Sequence, residues 1–313
     1  MRQPGKRETE RNRLQPVRKG CGHGCFRMQE RKKRMKVRCI ALDLDGTTLT
    51  DAKTVSEANR EALEDAAAGG VCIVVASGRT VDSIPDAVKA MDCIEYAVTS
   101  NGAAVYRLQD RACLRRVTLE RRAVEAVLAL TGGGGVTCEA FVDGIPYGQA
   151  DYVEDPVRFG AAPYAVEYIQ TTRRKVGDIR QFILENSDRL DGVDLIIPED
   201  EKRCGLREAL AGCGERLYIT SSVRNRIELS SPEAGKASGL LFLLKRLGIS
   251  PEETAAFGDA DNDMDMLKAV RWGIAVANAS EGCLRAAAFR TRSNQEDGVA
   301  WGIREILGIP ERQ

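Results

Sequence analysis

Short apolar runs that each break into a polar cluster, separated by helical stretches, constrain this chain more than any other feature. The first is Cys39–Thr48, CIALDLDGTT, which starts apolar and turns polar at Gly46. Val71–Ala76 is a second apolar run and ends in Ser77-Gly78-Arg79-Thr80; Glu95–Thr99 is a third and ends in Ser100-Asn101-Gly102. Between them Thr54–Ala68 reads as a helix, with Thr54 and Glu57 as a capping box and Gly69-Gly70 as its stop. Another helix is expected from the Ser77–Thr80 cluster to about Ala90. Apolar strands alternating with helices predict an α/β fold, a Rossmann-like parallel sheet with helices on both faces. Ligands of such sheets bind beyond the carboxyl ends of the strands, where all three clusters fall.

The middle of the chain changes character. Helical stretches at Leu119–Thr131, Val176–Asn186 and Glu201–Ala211 alternate with short strands, and Asp143-Gly144 reads as a hairpin turn. The simplest reading is an α+β cap, residues 119–223, inserted into a core of residues 35–118 and 224–313. From Arg226 the first pattern resumes: the strand Ile227-Glu228-Leu229, the helix Ala237–Leu247 behind Gly235-Lys236, and the strand Thr254–Phe257. That last strand breaks into Gly258-Asp259-Ala260-Asp261-Asn262-Asp263, and Gly273–Ala277 follows as a further strand.

Net charge is zero, yet it is unevenly spread. Residues 1–34 hold 12 Lys and Arg against 3 Asp and Glu, a net of +9, which leaves −9 on the remainder. This basic leader has little apolar periodicity and is expected to be disordered. A nucleic-acid arm or targeting role for it ranks below a plainer expectation, that translation begins at Met35. It also holds the only histidine, in Cys21-Gly-His23-Gly-Cys25, a weak match to a closed zinc site. Acid–base chemistry in the folded part therefore falls to carboxylates, Lys, Tyr or Cys. Ten scattered cysteines suit reduced thiols and a cytoplasmic protein. No apolar run has the length of a membrane span.

Asp43 and Asp45 would share one face of a regular strand, and like charges that close call for a cation. Asp259, Asp261, Asp263 and Asp265 mimic the start of a calcium loop, but Met264 and Val270 stand where an EF-hand needs Gly and Glu. The better reading is an acidic turn that faces Asp43 and Asp45 across a Mg2+ ion. The ion would neutralise an incoming phosphate, and a carboxylate would attack it to form an aspartyl phosphate. Ser77, the Gly78 amide at a helix N-terminus and Lys236 would donate to the non-reacting oxygens. Asp45 could protonate the leaving alcohol and then activate water.

These residues carry a resemblance. Asp43-Leu-Asp45-Gly-Thr-Thr, Ser77-Gly-Arg79, Ser100-Asn-Gly102-Ala103, Lys236 and Gly258-Asp259-x-x-Asn262-Asp263-x-x-Met266-Leu267 together resemble the haloacid dehalogenase-like hydrolases, specifically the Cof-type phosphatases. The likeness runs from about Met35 to the C-terminus and takes in Asn278-Ala279 and Asn294–Val299. It implies Asp43 as nucleophile and Mg2+ ligand, and Asp45 as general acid/base with its carbonyl on the ion. It implies Asp259 as a further ligand, with Asp263 as ligand or support, and a phosphate held by Ser77, Gly78, Lys236, Asn262 and the Leu44 amide. Ser77 stands where such proteins often have Thr, and Ala260 where Gly or a polar residue is frequent. Retention of Asp45 favours hydrolysis of a small phosphorylated metabolite, such as a sugar phosphate, over ATPase activity. A phosphomutase of the same fold and a non-catalytic phosphometabolite-binding protein are the competing expectations. Loops between Phe141 and Tyr168 are expected to reach the pocket.

Overall fold

The computed structural model describes residues 37–312, Gly133 excepted. The leader, its Cys-His-Cys motif and Met35 lie outside the described residues. Among the described residues fourteen strands form two sheets: β1 Cys39–Leu42, β2 Cys72–Ala76, β3 Ile94–Thr99, β4 Ala104–Arg107, β5 Ala112–Arg116, β6 Thr137–Val142, β7 Ile145–Gln149, β8 Arg174–Val176, β9 Leu190–Ile196, β10 Tyr218–Thr220, β11 Arg226–Ser230, β12 Thr254–Gly258, β13 Trp272–Ala275 and β14 Phe289–Arg290. The larger sheet has the order β14-β13-β12-β1-β2-β3-β4-β5, and the smaller β10-β11-β9-β6-β7-β8.

The core of the larger sheet is parallel from β14 to β3. Every residue of β1 is buried, as a strand covered on both sides requires. Alternation sends Ile40, Leu42, Ile73 and Val75 to one face, where Leu63 of the helix Glu57–Ala68 and Val299 and Ile303 of the C-terminal segment pack. Cys39, Ala41, Val74 and Ala76 face the other way, onto Leu240, Leu243 and Leu244 of the helix Lys236–Leu247. The chain leaves β1 toward β2 on one side and reaches β12 on the other, so a crevice opens at the carboxyl ends of β1 and β12. Among the described residues no helix is long and apolar enough to cross a membrane.

Several elements differ from expectation. Ser56, not Thr54, caps the first helix, its side chain accepting from the Asn59 amide. The helix expected up to Ala90 is reduced to Asp86–Lys89, because Pro85 fixes its start. β4 and β5 add an antiparallel edge to the parallel sheet. The run at 226–230 pairs antiparallel with β9 in the smaller sheet, so the return to the larger sheet comes after Ser230 rather than at 224. An alternating strand fits either sheet, and only its pairing decides. The Asp143-Gly144 hairpin forms between β6 and β7, with φ of 52° and 79° at its two turn residues.

One tight approach aligns the pieces. Ser100, Asn101 and Gly102 after β3 all have positive φ, at 48°, 51° and 87°. A Cβ on Gly102 would stand 2.0 Å from the Gly235 carbonyl oxygen, so this loop lies directly on the start of the Lys236 helix. Gly102→Ala is expected to lose about 3 kcal/mol of stability through clash and backbone strain. Denaturant unfolding measures it, and a loss below about 1 kcal/mol contradicts the close approach.

Candidate active site

Register brings the acidic residues together. Leu42 of β1 lies beside Phe257 of β12, and the Asp43 amide donates to the Phe257 carbonyl at 3.0 Å. Past Leu42 the strand ends: the Leu44 carbonyl accepts from the amides of Thr47, Thr48 and Leu49, and Gly46 takes φ of 82°. A Cβ at Gly46 would meet Asp259 Oδ2 at 2.6 Å, so a side chain there would push the turn off Asp259. Because the chain curls, Asp43 and Asp45 do not share a strand face as a regular strand predicts. Asp43 turns inward to the acidic turn, and Asp45 turns toward cations of the protein.

Asp43, Asp259 and Asp263 each offer a carboxylate oxygen, and these oxygens lie within 4.8 Å of one another. Lys236 Nζ, fully buried, donates to Asp43 Oδ1 and Asp263 Oδ1, both at 2.6 Å. Asp263 Oδ2 accepts from the amides of Asp259 and Ala260 at 3.0 and 3.1 Å. Both Asp263 oxygens are thus engaged by protein donors. The Thr47 hydroxyl donates to Asp259 Oδ1 at 2.8 Å.

Three carboxylates crowd one buried ammonium that bonds two of them, and the balance of charge is short of positive. Burial raises the Asp43 carboxyl well above its ordinary range, helped by Asp263 and Asp259 and only partly opposed by Lys236. Burial and the Asp263 charge push Asp259 up to about 6. Burial works against the Lys236 charge, but Asp263 and Asp43 outweigh it and hold the amine protonated. A set of hard oxygens with unbalanced negative charge fits a divalent cation such as Mg2+.

Asp45 is treated differently. Arg79 Nε and Nη2 donate to its two oxygens at 2.6 and 2.8 Å, and Lys53 Nζ adds a bond at 3.0 Å. Burial favours the neutral acid, yet the two cations outweigh it and hold the carboxyl well below the usual range. Arg79 Nη1 also donates to the Ser83 carbonyl at 2.9 Å.

Asp43, Asp45, Ser77, Gly78, Asp259 and Asn262 line one cavity of roughly 790 Å³, whereas Lys236, Asp263 and Leu44 stand behind its wall. The Ser77 hydroxyl accepts from the Arg79 amide at 3.2 Å, which leaves its own proton to donate outward. No helix begins at Gly78, so its amide acts without helix-terminal assistance. Asn262 Nδ2 donates to Asn101 Oδ1 at 3.0 Å, and its buried Oδ1 has no protein partner among the described residues. Asn101 Nδ2 reaches across to Glu228 Oε2 of the smaller sheet at 2.7 Å.

The far wall comes from the smaller sheet, one face of which packs on its helices through Val124, Val127, Ile183 and Leu210. The opposite face carries Glu139, Asp194 and Glu228 in one cross-strand row. Glu139 is wholly buried and accepts from Arg173 at 2.7 and 3.1 Å and from the Tyr152 hydroxyl at 2.6 Å. Burial raises its carboxyl, but Arg173 and Arg226 win and bring it to about 2. Arg226 also bonds Asp194 at 2.9 Å. Sequence reasoning assigned no role to Arg79, Tyr168, Arg173, Glu139 or Arg226; the one signal was an acid at 139 within an otherwise apolar run.

Comparison with known proteins is consistent across sequence and structure. A family model described as haloacid dehalogenase-like hydrolase matches residues 40–303. A putative phosphatase of Bacillus subtilis, YxeH, is 28% identical over 278 residues, covering 86% of this chain and 97% of that protein. The 5-amino-6-(5-phospho-D-ribitylamino)uracil phosphatase YcsE of the same organism is 25% identical, covering 88% and 98%. The solved structure of a haloacid dehalogenase-like hydrolase from B. subtilis superposes with a TM-score of 0.74 at 27% identity, covering 86% and 99%.

The raised Asp43 and Asp259 carboxyls set a pH dependence. Below about pH 6 a proton occupies Asp259 and competes with any cation, so affinity for Mg2+ rises with pH through that value. Calorimetric titration is expected to show binding about tenfold weaker at pH 5 than at pH 7.5. Equal affinity at the two pH values would remove the acidic cluster as the ion's seat.

Proposed function

We propose, for a chain that belongs to the haloacid dehalogenase-like hydrolases and is a phosphoric monoester hydrolase, that it is a Mg2+-dependent phosphatase cleaving a small phosphorylated metabolite through an aspartyl phosphate on Asp43. The observation that carries this reading is the convergence of Asp43, Asp259 and Asp263 around Lys236 at the ends of two adjacent parallel strands, beside Ser77. In it Asp43 and Asp259 hold the ion, and Asp263, bound by two amides, keeps the turn and Lys236 in place. When bound, Mg2+ supplies the positive charge that lets an anionic nucleophile meet an anionic phosphate.

Lys236 fixes one oxygen of Asp43, which orients the other for in-line attack on phosphorus. Ser77, Gly78, Asn262 and the Leu44 amide are assigned to the non-reacting phosphate oxygens. Asp45, held ionised by Arg79 and Lys53, is assigned as the base that takes a proton from the water that cleaves the phosphoenzyme; to protonate the departing alcohol first, it would have to part from those two cations and take up a proton. The smaller sheet acts as the cap, with the core resuming after Ser230. Its cavity wall combines Phe141, Tyr168, Asp194 and Arg226, a mixture of rings and hydrogen-bonding groups that suits a polar metabolite such as a sugar phosphate. The eight cysteines among the described residues are free, which supports a reducing, cytoplasmic setting.

A panel of phosphoesters that includes sugar phosphates and 5-amino-6-(5-phospho-D-ribitylamino)uracil, assayed with and without Mg2+, tests the reading. Turnover is expected only with the ion. Asp43→Asn is expected to lower kcat by at least about 10³-fold with the circular dichroism spectrum unchanged. Residual hydrolysis within about tenfold of wild type would exclude Asp43 as the nucleophile.

A further inference from the structure

A carboxylate on the smaller sheet sets the polarity of a hydrogen-bond chain that ends at the cavity. Glu228, in β11, is buried, and its Oε1 accepts from the Ser222 amide at 3.0 Å and from the Ser222 hydroxyl. Its Oε2 accepts from Asn101 Nδ2 at 2.7 Å. A carboxylate can only accept, so Asn101 must turn its nitrogen to Glu228 and its oxygen the other way. That oxygen accepts from Asn262 Nδ2 at 3.0 Å. One hydrogen of Asn262 Nδ2 therefore goes to Asn101, and the other has no protein acceptor among the described residues. The Asn262 oxygen is buried, also without a protein partner among them.

The middle member of the chain is held in place. Asn101 follows β3 with φ of 51° and is buried behind the cavity. Its amide donates to the Ser77 carbonyl at 3.2 Å, and its carbonyl accepts from the Gly235 amide at 2.7 Å, where the Lys236 helix starts. A Cβ on Gly78 would stand 3.3 Å from Asn101 Oδ1. The side chain thus keeps its position, and only the end of its amide that faces each neighbour can change. Leaving the Asn262 oxygen buried and unpaired is unfavourable. The opposite orientation of both amides is worse, because it sets the Asn101 oxygen against the Glu228 carboxylate.

We propose that Glu228 is a positioning residue for phosphate binding: through Asn101 it fixes the Asn262 amide so that an N–H, not the oxygen, meets the phosphate. This rests on the phosphatase reading above and on Asn262 as a phosphate contact. Glu228 acts here only through its two amide neighbours.

The isosteric Glu228→Gln inverts the chain. The two Ser222 donors hold the new side-chain oxygen, so its nitrogen faces Asn101. Asn101 must then offer its oxygen to that nitrogen and its nitrogen to Asn262, which turns the Asn262 oxygen toward Asn101 and its nitrogen away. Asn101→Asp in that background restores the original polarity, because an aspartate accepts on both sides. Charge alone predicts the reverse at each step: removing an acid beside the cavity strengthens anion binding, and adding one weakens it. The readout is the Ki of inorganic phosphate, at saturating Mg2+, against the phosphoester that wild type hydrolyses fastest. Glu228→Gln is expected to raise Ki at least about tenfold, and the double variant to return within about threefold of wild type. An unchanged or lower Ki for Glu228→Gln, or a double variant that binds phosphate no more tightly than Glu228→Gln, would overturn the proposal. If Glu228→Gln does not fold, a crystal of wild type with Mg2+ and inorganic phosphate decides. A phosphate oxygen within about 3.2 Å of Asn262 Nδ2 is expected there, and phosphate seated at Asp43 but out of reach of Asn262 overturns the proposal. Either failure on a wild type that hydrolyses phosphoesters leaves the phosphatase reading standing. A wild type that hydrolyses none of them with Mg2+ present overturns that reading and the proposal with it.

Discussion

One buried ammonium faces three carboxylates, and the rest of the active-site architecture follows from that imbalance. Lys236 bonds Asp43 and Asp263 but does not bond Asp259. Placing like charges so close in a site sheltered from water is unfavourable unless further positive charge arrives. The fold accepts this cost because the three elements that carry the charges are held by other means. β1 and β12 are central parallel neighbours, and the Lys236 helix is pinned by backbone contact between Gly102 and Gly235. Gly258 contributes in the same way, since a Cβ there would stand 2.5 Å from the Asp263 Cβ.

A second charged cluster sits in the cap. Glu139, Arg173, Arg226 and Asp194 lie on the cavity face of the smaller sheet, where apolar packing would be the simpler choice. Buried ion pairs recover their desolvation only when nearly every donor and acceptor is matched. Glu139 accepts from three residues, which meets that condition, whereas Arg226 Nε is buried without a protein partner among the described residues. Tyr168 links this cluster to the Arg79–Asp45 pair, so two polar networks remote in sequence form one surface around the cavity.

The polar clusters at strand ends were legible because chemistry and topology coincide there. Asp43, Ser77 and Asp259 each follow a short apolar run, and parallel register fixes which of them become neighbours. The separate fates of Asp43 and Asp45 were not legible, since spacing of two on a strand predicts a shared face. The carbonyl of Leu44, capped by three successive amides, undoes that spacing. Arg226–Ser230 alternates as any half-buried strand does, and nothing in its residues says which sheet it joins. The helix expected after Ser77 is cut back to the residues that follow Pro85, whose missing amide proton suits a helix start and not a helix interior. Tyr168 was invisible because its partners, Arg79 and Arg173, meet it only after two sheets have closed on each other.

The two networks give the site a division of labour. The acidic cluster behind Asp43 is arranged to gather positive charge, while Arg79 and Lys53 keep Asp45 away from that cluster and turned to the cavity. The central claim is that Asp43 and Asp259 close on a single divalent ion. Crystals of the protein soaked in Mn2+ and measured at the manganese absorption edge test it most directly. The account predicts one anomalous peak about 2.2 Å from an oxygen of Asp43 and an oxygen of Asp259. Saturating Mn2+ with no peak between those two carboxylates would contradict it.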